Sequence, residues 1–288
     1  MTNVDFADAE KNEFSEIPLK PLAEGLPRNW NRPGLFDAYR HGIAGGVFYP
    51  ALHGSTHFCF PAVQQALKRD DERGKLLRAL WKAETPYIYW RMPWIGYEYW
   101  NPANNQFLDA KQQENLIRES AELFQKMFAT APFSACAPGY RANTDTRRAW
   151  QMCGIRVVQN GSGGAMPIHF DGSVLNTYRN VDFEPATEGA DFSLENCLKH
   201  ARTNLDSRKL LVVSVHSINF HSTLRDFRTD TLRFLDQFLS IVESEYPDLL
   251  YVHDEDLYWL ARSKNGETSN AAVEVHAMPV TGRSTERS

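Results

Sequence analysis

Two histidines four residues apart, His53 and His57, stand in the segment GGVFYPALHGSTHFCF at Gly45 to Phe60. Residues i and i+4 share one face of a helical turn, so two neutral imidazoles can converge on a divalent metal ion, zinc above all. Gly54, Ser55 and Thr56 between them, and Pro61 after them, predict a single turn rather than a long helix. The apolar run Val47 to Leu52 reads as a strand delivering both imidazoles to its carboxyl end. With 9 histidines in 288 residues, about 0.3 such pairs arise by chance, so a structural or surface role stands beside the metal-binding one.

A second apolar run, Leu210 to Val215 in KLLVVSVHSINF, reads as a buried parallel strand and ends at His216. A histidine there is placed to act as a general acid or base, its pKa open to tuning by burial and carboxylates; a packed rim histidine is the alternative. Asn219 joins the substrate-binding candidates. In PFSACAPGYRANTDTRRAWQMCGIRVVQN, a strand to Ala137 turns at Pro138 and Gly139 into a helix and a further strand, a parallel crossover. The carboxyl ends of such strands face active sites, which marks Cys136, Tyr140 and Arg141. Tyr87 to Phe107 holds eight aromatic residues among turn-formers. Sugar rings stack on such faces, so Trp94, Tyr97 and Trp100 can form a groove wall, or else they cap the core. Arg179, Asn180, Asp182 and Glu184 follow a further strand and either bind substrate or solvate an edge.

The elements that must position these residues are a helix at Gly34 to Gly42, two helical pieces between Ala62 and Trp81 broken near Gly74, and a helix at Ala110 to Phe128 capped by Asp109. Helices at Asp145 to Met152, Ser193 to Thr203, Thr229 to Glu245 and Asp254 to Arg262 follow, with a last strand at Leu249 to Val252. Residues 1–30 are polar and proline-rich and read as an irregular arm, 31–262 as one domain, and 263–288 as a disordered tail. The Gly-rich stretch Gly161 to Gly164 lacks both a GxGxxG pattern and a Walker lysine and reads as a loop.

The net charge of −5 gives no footprint for nucleic acid or an anionic membrane. Four scattered cysteines without a CxxC read as reduced and packed. The acidic start MTNVDFADAEKNEF is no signal peptide or transmembrane segment, so the chain as written is expected to be cytoplasmic. Oligomeric state is not legible.

The motifs HGSTHF, APGYR followed by a helix and GIRVV, and the strand into VSVHSINF come in the order seen in polysaccharide deacetylases. Over roughly Leu35 to Leu260 the chain resembles the NodB-homology (carbohydrate esterase family 4) superfamily. The resemblance implies the α/β class: a distorted (β/α)7 barrel, whose ring of strands could be incomplete. It implies that His53 and His57 hold a divalent metal, zinc first, and that His216 protonates the leaving amine; the place of the family's arginine before the turn proline holds Cys136, with Arg141, the catalytic candidate from its position, on the other side of the turn. Tyr140, Trp94, Tyr97, Trp100 and Asn219 would then bind a carbohydrate substrate, an N-acetylated sugar or polysaccharide. The family's strand ending in paired aspartates has no counterpart before His53; Asp5 and Asp8 follow almost no strand. A chain that starts inside the domain would show this, and so would a carbohydrate-binding protein that keeps the deacetylase fold without its catalysis. An amidohydrolase would need an HxH pair, and none occurs.

Overall fold

The structure, a computed structural model, describes residues 2–26, 30–85, 92–161, 167–220 and 224–264. Two compact units emerge: one runs from the start of the chain to Val158 and takes back the helix after His253, and the other is Gln159–Val252.

The first unit begins with β1 (Thr2–Val4) and α1 (Phe6–Lys11), whose first turn is capped by Asp5. β2 (Leu19–Pro21) returns antiparallel to β1. Val4, Phe6, Ala9 and Ile17 are buried with Phe58, Val63, Leu77 and Trp81 in one core, where Phe6 meets Trp81 edge to face at 4.8 Å. Residues 2–24 are therefore ordered structure, where an irregular arm is expected from sequence. Their apolar residues follow no period, and their partners lie some 60 residues away, so local pattern cannot reveal them.

Next come α2 (Leu35–Ala44), α3 (Phe60–Leu67) and α4 (Glu72–Lys82). The helical break falls before Gly74, because Asp71 accepts from the Gly74 amide and starts α4 there. The expected strand over Val47 to Leu52 is reduced to one residue. Leu52 alone pairs, parallel to Ala135, with its amide on the Ser134 carbonyl at 2.9 Å and its carbonyl accepting from the Cys136 amide at 2.9 Å. Val47 is 69% exposed; the apolar run spends its first half in a turn after α2.

A short hairpin, β3 (Trp100–Asn101) with β4 (Gln106–Phe107), leads into α5 (Ala110–Phe128). Asp109 and Gln112 close a capping box at the start of α5, which buries Gln113, Ile117, Ser120 and Phe124. β5 (Ser134–Cys136) carries the APGYR turn, and α6 (Thr144–Met152) starts on a second capping box, Asn143 with Thr146, and packs on α5. β6 (Val157–Asn160) follows.

In the second unit β7 (His169–Asp171) and β8 (Val174–Tyr178) form an antiparallel hairpin. β9 (Val181–Asp182), the single turn α7 (Pro185–Glu188), α8 (Leu194–Asp206), β10 (Val213–Ser214) and α9 (Arg225–Glu245) complete it. β10 runs parallel to β9, and α8 packs on α9 around Val181, Phe183, Leu198, Ala201, Phe238 and Val242. The strand expected over Lys209 to Phe220 survives as two residues, because the backbone turns into a 3-10 segment at Ser217. No strand forms over the expected Leu249 to Val252. The last element, α10 (Asp254–Lys264), belongs to the first unit.

The class is thus mixed α/β and rich in helix, with short strands. Among the described residues the sheets have two to four strands and none closes on itself, so the α/β class is seen without a closed (β/α)7 barrel. No helix of the described residues is long and apolar enough to cross a membrane. His221, most of the Gly161 to Gly164 loop, Tyr87 to Trp90 and nearly all of the expected tail lie outside the described residues.

Candidate functional site

Leu52, locked to β5, hands the chain directly to His53. The His53 Nδ1–H donates to the Cys136 carbonyl at 2.9 Å, since a carbonyl can only accept. That bond fixes the tautomer and leaves Nε2 as the nitrogen with a lone pair. The His57 ring lies 5.2 Å from the His53 ring, centroid to centroid.

What shapes the loop between them is a residue the sequence reading passed over. Glu98, 3% exposed, accepts from the Ser55 amide at 2.9 Å and the Thr56 amide at 3.2 Å through Oε1. Its other oxygen lies under Gly54, where a Cβ would come within 1.7 Å of it. Gly54 has φ +70, a conformation suited to glycine. A carboxylate, two amides and a glycine thus set the histidine spacing together. The back of the loop is tied as well: the Ser55 hydroxyl meets that of Ser120 on α5 at 2.6 Å, and Thr2 donates to the Ser55 carbonyl at 2.6 Å.

Burial pushes the Glu98 carboxyl up to about 7, against the opposing pull of the two amides. Glu98 Oε2, the Tyr99 hydroxyl and the Trp150 indole nitrogen are all buried without a hydrogen bond of normal geometry, although Tyr99 is near enough to feel both of the others. A folded-state pKa above the unfolded value of 4.5 means that the native state keeps a proton the unfolded chain has released. Stability then falls as pH rises from about 4.5 to about 7 and is level above that. Relative to Glu98→Gln, wild type is expected to lose about 3 kcal/mol over that interval, at 1.36 kcal/mol per pKa unit. Urea titrations of both proteins at several pH values check this; a constant difference would contradict it.

Beside the loop runs an aromatic wall. Tyr97 meets His57 edge-on at 5.9 Å and Trp100 at 6.3 Å, and the Arg141 guanidinium lies over the Trp100 ring at 4.8 Å. The APGYR turn sits against this wall, since a Cβ on Gly139 would lie 2.2 Å from the Tyr97 ring. Tyr140 is exposed with φ +56. Trp94 is not part of the wall: it packs on the N-terminal core with Arg73 over its ring at 5.9 Å.

In the second unit, His216 Nδ1 contacts Glu184 Oε1 at 2.5 Å. Burial alone would raise the Glu184 carboxyl, but the hydrogen bonds from His216 and Asn219 outweigh it and hold it below the ordinary range. An ionised Glu184 can only accept, so the His216 proton sits on Nδ1 and Nε2 is the nitrogen that exchanges protons. Asn219 is fully buried, donating to Glu184 Oε2 at 2.8 Å and accepting from the Ala186 amide at 2.8 Å. It therefore positions Glu184 and does not present itself to a substrate, contrary to the sequence expectation. Ser214 adds a longer contact to Glu184 at 3.4 Å and accepts from Arg179 at 2.7 Å.

Of the expected residues, the structure thus brings His53, His57, Tyr97, Trp100 and Arg141 together in the first unit, and His216 and Asn219 in the second. Glu98 and the pairing of Glu184 with His216 are the additions. For a metal, the donor set of the first unit fits in part. Two imidazoles are present, one with its second nitrogen engaged as metal-bound histidines usually have it. Among the described residues no group of three or more His, Cys, Asp or Glu side chains is arranged to hold an ion, whereas hydrolytic zinc sites use three protein ligands.

No protein-family model matches the chain, and no curated protein does. Among solved structures the chain is similar to the crystal structure of a "putative polysaccharide deacetylase from Mycobacterium smegmatis", at 13% identity over 80% of each chain with a TM-score of 0.42. A likeness that distant decides neither fold nor activity. A cavity of about 830 Å³ between α2 and the end of α5, lined by Phe36, Ile43, Leu123 and Met127 among others, contains none of these candidate residues.

Proposed function

We propose that this chain is a metal-dependent hydrolase that removes the acetyl group from an N-acetylated sugar or polysaccharide. The observation that carries the reading is the built histidine loop: His53 oriented by the Cys136 carbonyl, the His57 ring 5.2 Å from it, and a buried carboxyl group fixing the irregular backbone between them. His53 and His57 would hold the divalent ion, zinc first. When bound, such an ion supplies Lewis acidity to an acyl carbonyl.

Water supplies the oxygen that goes into the released acetate, and the chain's residues bind the sugar and exchange protons. Tyr97 and Trp100 offer ring faces for sugar stacking beside the loop. In the second unit His216, held in one tautomer by Glu184, offers Nε2 as a general acid or base, and Asn219 keeps Glu184 in place. A second reading, a saccharide-binding protein without catalysis, is favoured by the same ring wall and by the two-imidazole donor set. Release of acetate from N-acetylated oligosaccharides, measured with and without added zinc, separates them. Acetate release that a chelator stops supports the hydrolase; saccharide binding indifferent to chelator and without acetate release supports the second reading.

A further inference from the structure

We propose that Trp100 and Arg141 form a subsite for the carboxylate of an acidic sugar, so that the saccharide taken by this chain carries uronic acid residues. The proposal rests on the deacetylase reading for the N-acetyl group, and on this geometry alone for the charge.

Arg141 is exposed, its guanidinium carbon 4.8 Å from the centre of the Trp100 ring. A guanidinium held over an indole ring is partly preorganised, and a preorganised fork loses little entropy when it takes a carboxylate in two parallel hydrogen bonds. Among the described residues no Asp or Glu is paired with it. Its backbone is equally fixed. The Arg141 amide donates to the Pro138 carbonyl at 3.2 Å, the turn residues Gly139 and Tyr140 have φ +58 and +56, and Gly139 lies against the Tyr97 ring. The rings run without a gap from His57 through Tyr97 to Trp100, at 5.9 and 6.3 Å. A saccharide stacked on this wall thus reaches from the histidine loop to a cation. One guanidinium matches one negative charge, which suits a carboxylate better than a dianionic phosphate ester.

The experiment is calorimetric binding at fixed ionic strength to three probes of equal length: a neutral N-acetylglucosamine oligomer, an oligomer alternating N-acetylhexosamine with glucuronate, and the sulfated form of the latter. Wild type and Arg141→Gln are compared, with Arg141→Lys as the variant that keeps charge but loses the fork. Binding needs no turnover, so the two claims separate. The expected result is about tenfold tighter binding of the uronate oligomer than of the neutral one, as charge-assisted hydrogen bonds give. The preference disappears in Arg141→Gln and returns in part in Arg141→Lys. Equal binding of neutral and uronate oligomers, or a preference that survives Arg141→Gln, overturns the subsite and leaves the deacetylase reading standing. Tighter binding of the sulfated oligomer than of the plain uronate overturns the carboxylate assignment. Binding of none of the three overturns both.

Discussion

Gly54→Ala is expected to destabilise the protein by at least about 3 kcal/mol and to abolish function with it. Two costs add. An alanine held at φ +70 is strained by about 1–2 kcal/mol. Its Cβ would also sit 1.7 Å from Glu98 Oε2, 2.8 Å from Glu98 Cδ and 3.3 Å from Pro138 Cγ, an overlap that only displacement of the carboxylate relieves. Displacement strips the Ser55 and Thr56 amides of their acceptor and leaves buried polar groups unpaired, each worth about 1–3 kcal/mol. Gly154→Ala is the internal control. It has φ +86 and nothing within 4 Å of the added carbon, so it carries the strain cost alone. Chemical denaturation of both variants checks the comparison. Equal losses would mean that the contact with Glu98 is not what makes Gly54 a glycine.

The second large effect is on rate. His216→Ala is expected to lower kcat by about 10²–10⁴, the usual contribution of a positioned general acid or base. Glu184→Gln should lower it by at least about tenfold with little change in KM, for a stated reason. A glutamine can turn its amide toward His216, where an N–H donor meets Nδ1 and selects the opposite tautomer, leaving the proton on the wrong nitrogen. A structural role for Glu184 would not move the histidine signal, so the decisive readout is the 15N spectrum of His216. Wild type should show the Nδ1–H tautomer and Glu184→Gln should not. An unchanged tautomer together with unchanged kcat would remove the dyad from the mechanism.

Much of this was legible in the chain, and what was not has definable causes. α5 and α6 lie within a residue of their expected bounds because Asp109 with Gln112, and Asn143 with Thr146, write their starts into the sequence. The histidine loop and the APGYR turn stand out because their small residues and prolines admit few backbones. The strands did worse. Val47 to Leu52 and Leu210 to Val215 are apolar runs of the length that suits either a strand or irregular backbone laid on a core, and periodicity does not choose between these. The N-terminal segment hid because Phe6 finds Trp81 only in three dimensions.

Glu98 was invisible for a related reason. An acidic residue inside YEYW reads as the solvated member of an aromatic run, and its burial against Ser55 and Thr56 spans more than 40 residues of chain. The one sequence signal that pointed to it was Gly54, whose need for glycine implies a close neighbour. Glu184 had been named at a strand end without a role, and only the contact across 32 residues assigns it to His216. Asn219, a substrate-binding candidate by sequence, is fully buried and holds the Glu184 carboxylate still.

The most direct test of the central claim is the metal content of the purified protein by elemental analysis, wild type beside the double variant His53→Ala/His57→Ala, both after exposure to excess zinc and removal of the unbound ion. The expected result is about one equivalent of a divalent ion in the wild type and none in the variant, since losing both imidazoles removes the protein's donors and with them tight binding. Wild type without metal, or a variant that retains as much as wild type, would contradict a metal-dependent hydrolase built on this loop.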